Sequence, residues 1–282
     1  MEIDTQHHAI IAIQARLHSV RSPGKILRDF GGMAMLGFQM RRLTTHQSCP
    51  VVALVPEADA ATIKAALPEQ CCVYASPCEE NDVLGRYAEF ARTMLMGPDD
   101  TILRVTGDCP LLCPFQIRYV LRMWESWQQT APPLAYYGMG PGWPDGLADI
   151  DVIRVRALLD ADTHCTDPVD REHLAYFWKQ TARYPQATCP FPAQWQAQPW
   201  PKFSVDTDAD FAYVTRVMQL MATHWGYHDT WPIGFSWEDV LTLVRRKPEL
   251  QRTGEAFNAG YLAQIANSAA SWGDVRYGGL VA

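Results

Sequence analysis

The chain has no apolar run near the ~20 residues a membrane-spanning helix needs, so a helical membrane protein is not expected. It also lacks a basic excess: 24 Lys and Arg stand against 31 Asp and Glu, a net charge of −7. Without a broad basic face, a nucleic-acid polymer is not the expected partner, although a local cation cluster could still hold a small anion. The opening M-E-I-D-T-Q-H-H lacks the basic and apolar regions of a signal peptide. Zinc-site spacing is missing too, since neither Cys71-Cys72 nor Cys109/Cys113 has it. The eight cysteines therefore read as reduced thiols of a cytoplasmic protein, mostly core filler. Internal repeats and low-complexity runs are absent. What remains is 282 residues of ordinary globular composition, 48% apolar and 20% charged, enough for one large α/β domain or one with an insertion.

The most informative stretch is I-I-A-I-Q-A-R-L-H-S-V-R-S-P-G-K, residues 10–25. Ala9 to Ile13 is long enough for a buried strand and too short for a helix. It breaks into a loop carrying Arg16, Arg21 and Lys25, with Pro23-Gly24 marking a turn. Three cations then stand at the carboxyl end of a first strand, the edge where open α/β sheets bind ligands. Such a loop suits a polyphosphate, with Arg forks and a Lys point charge on its oxygens. A solvated basic loop is the plainer reading, and charge count does not separate the two.

Further on, strands over 49–55, 71–75 and 101–105 alternate with helices over 33–45, 58–67, 81–94 and 115–127. This alternation predicts an α/β fold with a parallel, doubly wound sheet. Ala131-Pro132-Pro133 suggests a boundary near residue 130. About 8–130 then forms the half that carries the basic loop, and 131–201 an insertion for substrate contacts or a dimer surface. About 202–265 returns to the core: a strand over 202–205 and helices over 209–221, 236–246 and 257–266. Within the insertion, 167–182 reads as a helix.

Asp108 follows the fourth strand and Asp206 the strand at 202–205, both on the edge that holds Arg16 and Lys25. Two carboxylates facing a basic loop are the parts of a magnesium-nucleotide site. Turn chemistry for Asp108 and helix capping for Asp206 are the alternatives, and capping is the reading adopted for Asp210.

Six segments occur in order: I-Q-A-R-L-H-S-V-R-S-P-G-K (13–25), N-D-V-L-G-R-Y (81–87), L-R-V-T-G-D-C-P-L-L (103–112), R-E-H (171–173), S-V-D-T-D-A-D-F (204–211) and F-S-W-E-D-V (235–240). Together, over about residues 8–265, they resemble the spore-coat polysaccharide (SpsF-type) cytidylyltransferases, relatives of the CMP-sialate and CMP-KDO synthetases. The resemblance implies a GT-A-type, Rossmann-like nucleotidyltransferase that uses CTP, Mg²⁺ and a small-molecule acceptor. Dimers are common among relatives. It implies Arg16, Lys25 and Asp108 as catalytic residues, with Gln14, Ala15, Arg21, Asp82 and Arg86 joining them around the nucleotide. Asp108 and Asp206 would hold the metal, and Asp149, Asp151, Arg171 and His173 would face the acceptor. Helix capping by Asn81 or Asp82 beside a surface Arg86, and a solvated first turn at Arg171, are the plainer readings of those positions.

Where relatives read Gly-Leu-Asp-Val-Glu-Val-Phe, residues 146–152 read G-L-A-D-I-D-V, one residue longer and with Asp for Glu. The Trp- and Pro-rich stretch 193–201 has no counterpart. An acceptor phosphate or phosphonate needs no general base, whereas a sugar hydroxyl does, with Asp149 or Asp151 as candidates. Two rival functions are a GT-A glycosyltransferase, with Asp206-Thr207-Asp208 or Asp149-Ile150-Asp151 as an Asp-x-Asp motif, and a catalytically silent nucleotide-binding module.

Overall fold

The computed structural model describes residues 8–19, 21–46, 49–128, 133–174, 178, 184–196, 200–227 and 231–251. The expected helix at 257–266, the opening seven residues, Ala131-Pro132 and parts of the 167–182 and 186–201 stretches lie outside them.

Continuous apolar runs become strands buried on both faces. Strand β1 (Ala9–Gln14) carries Ile11 and Ile13 into one core layer and Ala12 into the other. Around it stand β2 (Val51–Pro56), β3 (Cys72–Ser76), β4 (Thr101–Thr106), β5 (Tyr136–Met139), β6 (Ile150–Arg154) and β7 (Gln186–Cys189). They form one seven-stranded sheet in the order β3-β2-β1-β4-β6-β5-β7. The sheet is mostly parallel, as expected, but β6 runs antiparallel to both β4 and β5. The stretch read as an insertion thus supplies three strands of the sheet. None of them reads as a continuous apolar run: β5 carries a Gly, β6 an Asp and an Arg, and β7 alternates polar with small residues.

Helices cover both faces: α1 (Met35–His46), α2 (Glu57–Ala66), α3 (Val83–Thr93), α4 (Pro114–Gln128), α5 (Val155–His164), α6 (Pro168–Glu172), α7 (Asp208–His224) and α8 (Trp237–Arg246). Ser236 opens α8 through a capping box with Asp239, and Thr207 opens α7 through one with Asp210. Buried Arg42 on α1 donates to the carbonyls of Leu112, Ile233 and Phe235 at 3.0, 2.6 and 2.6 Å, tying the chain before α8 to α1 and to the loop after β4.

Residues 202–205 are not a strand. Two backbone bonds hold them instead, Phe203 N–H to Asp145 O at 2.7 Å and Val205 N–H to Asp108 O at 2.8 Å. The apolar alternation of K-F-S-V reflects burial between two loops rather than a place in a ladder.

Candidate active site

The register of β1 and β4 creates the site. Gln14 pairs with Thr106, so the chain leaves both strands side by side, and Gly107 N–H closes on Gln14 O at 2.8 Å. Because β6 runs the other way, its beginning meets the end of β4, Ile150 opposite Val105, which brings the 145–149 loop to the same edge. The Pro23-Gly24 turn works as read: Gly24 sits at φ 67, a conformation that costs glycine least, and starts a 3₁₀ turn at Lys25–Leu27. That turn sends Lys25 inward, leaving the residue 8% exposed.

The Lys25 ammonium donates to Asp108 Oδ2 at 2.9 Å, Asp206 Oδ1 at 3.2 Å and Val205 O at 2.5 Å. Burial alone would lower its pKa, but the Asp108 and Asp206 carboxylates outweigh it and hold the pKa above the ordinary lysine value. Arg21 lies 3.1 Å from Asp206 Oδ1, and Lys202 donates to Asp206 Oδ2. Against the burial that would raise it, Lys202, Lys25 and Arg21 hold the Asp206 carboxyl below its usual range. Lys202 was not anticipated, since a spacing of four residues predicts a meeting only on a helix.

Arg16 leaves the same strand but points elsewhere. Its guanidinium reaches Asn81 Oδ1 at 2.5 Å, Glu172 Oε1 at 3.1 Å and Glu80 Oε1 at 3.6 Å. Ala15 is buried at the end of β1 with its N–H on Leu54 O, and Gln14 Oε1 accepts from Arg104 Nη2 at 2.9 Å. The expected nucleotide contacts therefore fall into two groups, Lys25, Arg21, Asp108 and Asp206 on one side and Arg16 with the 80–82 loop on the other.

Asp82 caps α3, accepting from Gly85 N, while its two oxygens also take Arg171 Nε at 2.7 Å and Nη2 at 3.0 Å. Arg171 further donates to Asp162 Oδ1 and to the carbonyls of Asp162 and Cys165. Rather than a solvated first turn, Arg171 is a brace joining α6 to α3 and α5. Arg86 is fully buried, not a surface arginine, and donates through Nη2 to the carbonyls of Glu79 and Glu80; among the described residues its Nε and Nη1 meet no acceptor. His173 sits at the C-terminus of α6, exposed.

Of the two carboxylates offered as bases, Asp151 is committed to the sheet: Oδ2 accepts from Arg104 Nη1 at 2.6 Å and Oδ1 from the Tyr136 hydroxyl. Asp149 accepts from Gly146 N and lies 3.8 Å from Cys109 Sγ. Burial, reinforced by the Asp145 charge, pushes its pKa up to about 7. Neither Asp-x-Asp sequence converges on one point. Asp151 is held in the sheet, and exposed Asp208 faces Arg28 at 2.6 Å and Ser22 at 3.2 Å.

Asp149 sets a pH dependence. Its folded pKa lies above the unfolded value of 3.8, so its contribution is full at low pH and is lost as pH climbs from about 4 to 7. Asn at this position never charges and keeps an acceptor for Gly146 N–H. The unfolding midpoint of metal-free Asp149→Asn relative to wild type should therefore rise between pH 4 and 7 and level off above. Melting curves at pH 4, 6 and 8 check this, and a wild type that gains on the variant with pH would contradict it.

Asp108 and Asp206 are the residues that could hold a metal. One ammonium bridges an oxygen from each, so their carboxylates already converge on a single cation position. Among the described residues no group of three His, Cys, Asp or Glu forms a metal cluster. Further ligands would have to be phosphate or water oxygens, which Mg²⁺ accepts.

Comparison with known proteins agrees with this frame. The 3-deoxy-manno-octulosonate cytidylyltransferase of Serratia proteamaculans (strain 568) is 36% identical over 112 residues, 39% of this chain and 44% of that protein. This chain spans less than half the length of the curated relatives it matches. The structure of a cytidylyltransferase from Leptospira borgpetersenii serovar Hardjo-bovis superposes with a TM-score of 0.73 at 24% identity, covering 88% of this chain and 98% of that one. A CMP:2-keto-3-deoxy-manno-octonic acid synthetase complexed with CTP superposes with a TM-score of 0.56 at 18% identity, covering 76% and 99%. The two structures share the Rossmann-like nucleotidyltransferase fold. The family model described as cytidylyltransferase matches residues 10–226, and the chain belongs to that family.

Proposed function

We propose that this protein is a CTP-dependent cytidylyltransferase. It transfers CMP to a small acceptor by in-line displacement at the α-phosphorus and releases pyrophosphate. The observation that carries the reading is the Lys25 ammonium between Asp108 and Asp206 at the carboxyl edge of β1 and β4. Little covalent work falls to the protein in such a reaction; positioning and charge neutralisation dominate. Lys25, Arg21 and Lys202 supply positive charge for the triphosphate and leaving pyrophosphate. Arg16, Asn81 and the loop held by Arg86 flank the nucleoside. Asp108 and Asp206 would hold Mg²⁺, which when bound would neutralise phosphate charge.

The acceptor class best supported is a sugar acid, because the curated relatives are named for 3-deoxy-manno-octulosonate. For a hydroxyl acceptor Asp149 is the remaining candidate base, Asp151 being held by Arg104 and Tyr136. The six ordered segments favour the spore-coat polysaccharide branch of the family. Calorimetry with CTP, UTP, ATP and GTP in Mg²⁺, followed by pyrophosphate release on adding sugar acids or phosphorylated acceptors, tests the proposal. A clear CTP preference with acceptor-dependent pyrophosphate is expected. Release of nucleoside diphosphate from a sugar nucleotide would instead favour a glycosyltransferase.

A further inference from the structure

An ammonium group has three protons to donate and no acceptor. Lys25 directs all three at protein oxygens: one from Asp108, one from Asp206 and the carbonyl of Val205. At 8% exposure no solvent shell supplements them. In this state Lys25 has no donor left for a phosphate, although it is the most deeply placed cation of the basic loop. The carboxylates are engaged as well, Asp206 through both oxygens and Asp108 through one, while its other, Oδ1, faces the Cys109 thiol at 3.6 Å. Asp206 Oδ1 faces Lys25 and Arg21, its Oδ2 faces Lys202, and Asp108 Oδ2 faces Lys25.

From this, and resting on the cytidylyltransferase reading, we infer that Lys25 is a built-in counter-ion of the Asp108–Asp206 pair, so that divalent metal and nucleotide load as one unit. The lysine holds two carboxylates together that would otherwise repel at a partly desolvated position. A divalent cation arriving alone must displace that ammonium or sit beside it, and two cations this close in a low-dielectric site repel strongly. A triphosphate changes the balance. Its oxygens are charged acceptors, as the two carboxylates are, so the ammonium can turn to them while the divalent cation would replace it between Asp108 and Asp206. The vacated oxygens are then free for the metal. Each ligand thereby raises the affinity for the other, as thermodynamic linkage requires, and Lys25 is the residue through which they are coupled.

Lys25 would act on the metal through Asp108 and Asp206 rather than by touching it. The test therefore reads metal binding without turnover. Mn²⁺ is titrated into the full chain and followed by water-proton relaxation, first without nucleotide and then with CTP, no acceptor being present. Wild type should bind Mn²⁺ weakly alone and at least about tenfold more tightly with CTP. Lys25→Met should bind Mn²⁺ alone about tenfold more tightly than wild type and lose most of the CTP enhancement. Lys25→Arg, which keeps the charge and guards against misfolding of the methionine variant, should stay near wild type for metal alone.

Arg21→Met is the control for net charge. It removes the same formal charge from Asp206, but from a side chain 61% exposed, and should change metal-only affinity by less than about threefold. The inference is overturned if Lys25→Met binds Mn²⁺ no more tightly than wild type, or if Arg21→Met gains as much. Should wild type bind CTP yet never bind Mn²⁺, the metal reading of Asp108 and Asp206 fails first and takes this inference with it. Enhancement by CTP that survives in Lys25→Met would leave that reading standing and remove only the counter-ion role.

Discussion

Asp108→Asn should reduce pyrophosphate release at saturating CTP by a factor on the order of 10²–10³, the several kcal/mol a metal supplies to phosphoryl-type transfer. The side chain keeps its size and one oxygen, so the turn after β4 has no steric reason to change. Charge is what it loses. Lys25 keeps Asp206 and the Val205 carbonyl as acceptors but loses the 2.9 Å carboxylate that does most to raise its pKa. Metal-free CTP binding should therefore persist, while magnesium should no longer increase turnover. Steady-state rates against magnesium concentration, with calorimetry in a chelator, separate the two effects. Full magnesium-dependent turnover in the variant would sink the metal assignment of Asp108.

The part of the site that was legible in sequence is the part made by short connections leaving parallel strands. An apolar run that ends in cations predicts an edge, and the β1 and β4 edges must coincide once the two strands pair. Arg16 shows the limit of that logic. Its place on the loop was readable, but its direction depends on Asn81, Glu80 and Glu172, which lie 65, 64 and 156 positions away. The same holds for Arg171, whose five donors are directed by Asp82 and the end of α5. Lys202 was illegible for a different reason. Residues 202–205 take part in no ladder and no helix, so no periodicity announces where a side chain on them will point. Long-range partners decide such positions, and a one-dimensional pattern contains no record of them.

Those unpatterned residues reach the site through one close approach, and Gly146→Ala should break it. Gly146 has φ +89, and a Cβ there would stand 2.1 Å from Ser204 N and 2.3 Å from Phe203 C, both backbone atoms that no rotamer change can move. Accommodation requires parting the 145–149 loop from residues 202–206, which puts the 2.7 Å bond from Phe203 N–H to Asp145 O at risk. Lys202 and Asp206 ride on the same segment, so Asp206 should leave the Lys25 ammonium as well. The expected cost is about 3–5 kcal/mol from clash, strain and a lost buried hydrogen bond, a fall in melting midpoint of roughly 10 °C. Gly142 supplies the comparison. Its φ is +95, but a Cβ there would meet only the Phe191 side chain, at 3.5 Å, an ordinary contact. Gly142→Ala bears the backbone strain without the collision and should cost only about 1–2 kcal/mol. Equal losses in the two variants would show that the close approach at Gly146 is not what holds the 202–206 segment in place. A stable Gly146→Ala protein that keeps wild-type CTP affinity and magnesium response would mean that Asp206 reaches the site by some other support. A larger loss at Gly146, accompanied by a weakened magnesium response, ties the second carboxylate of the site to a single residue without a side chain.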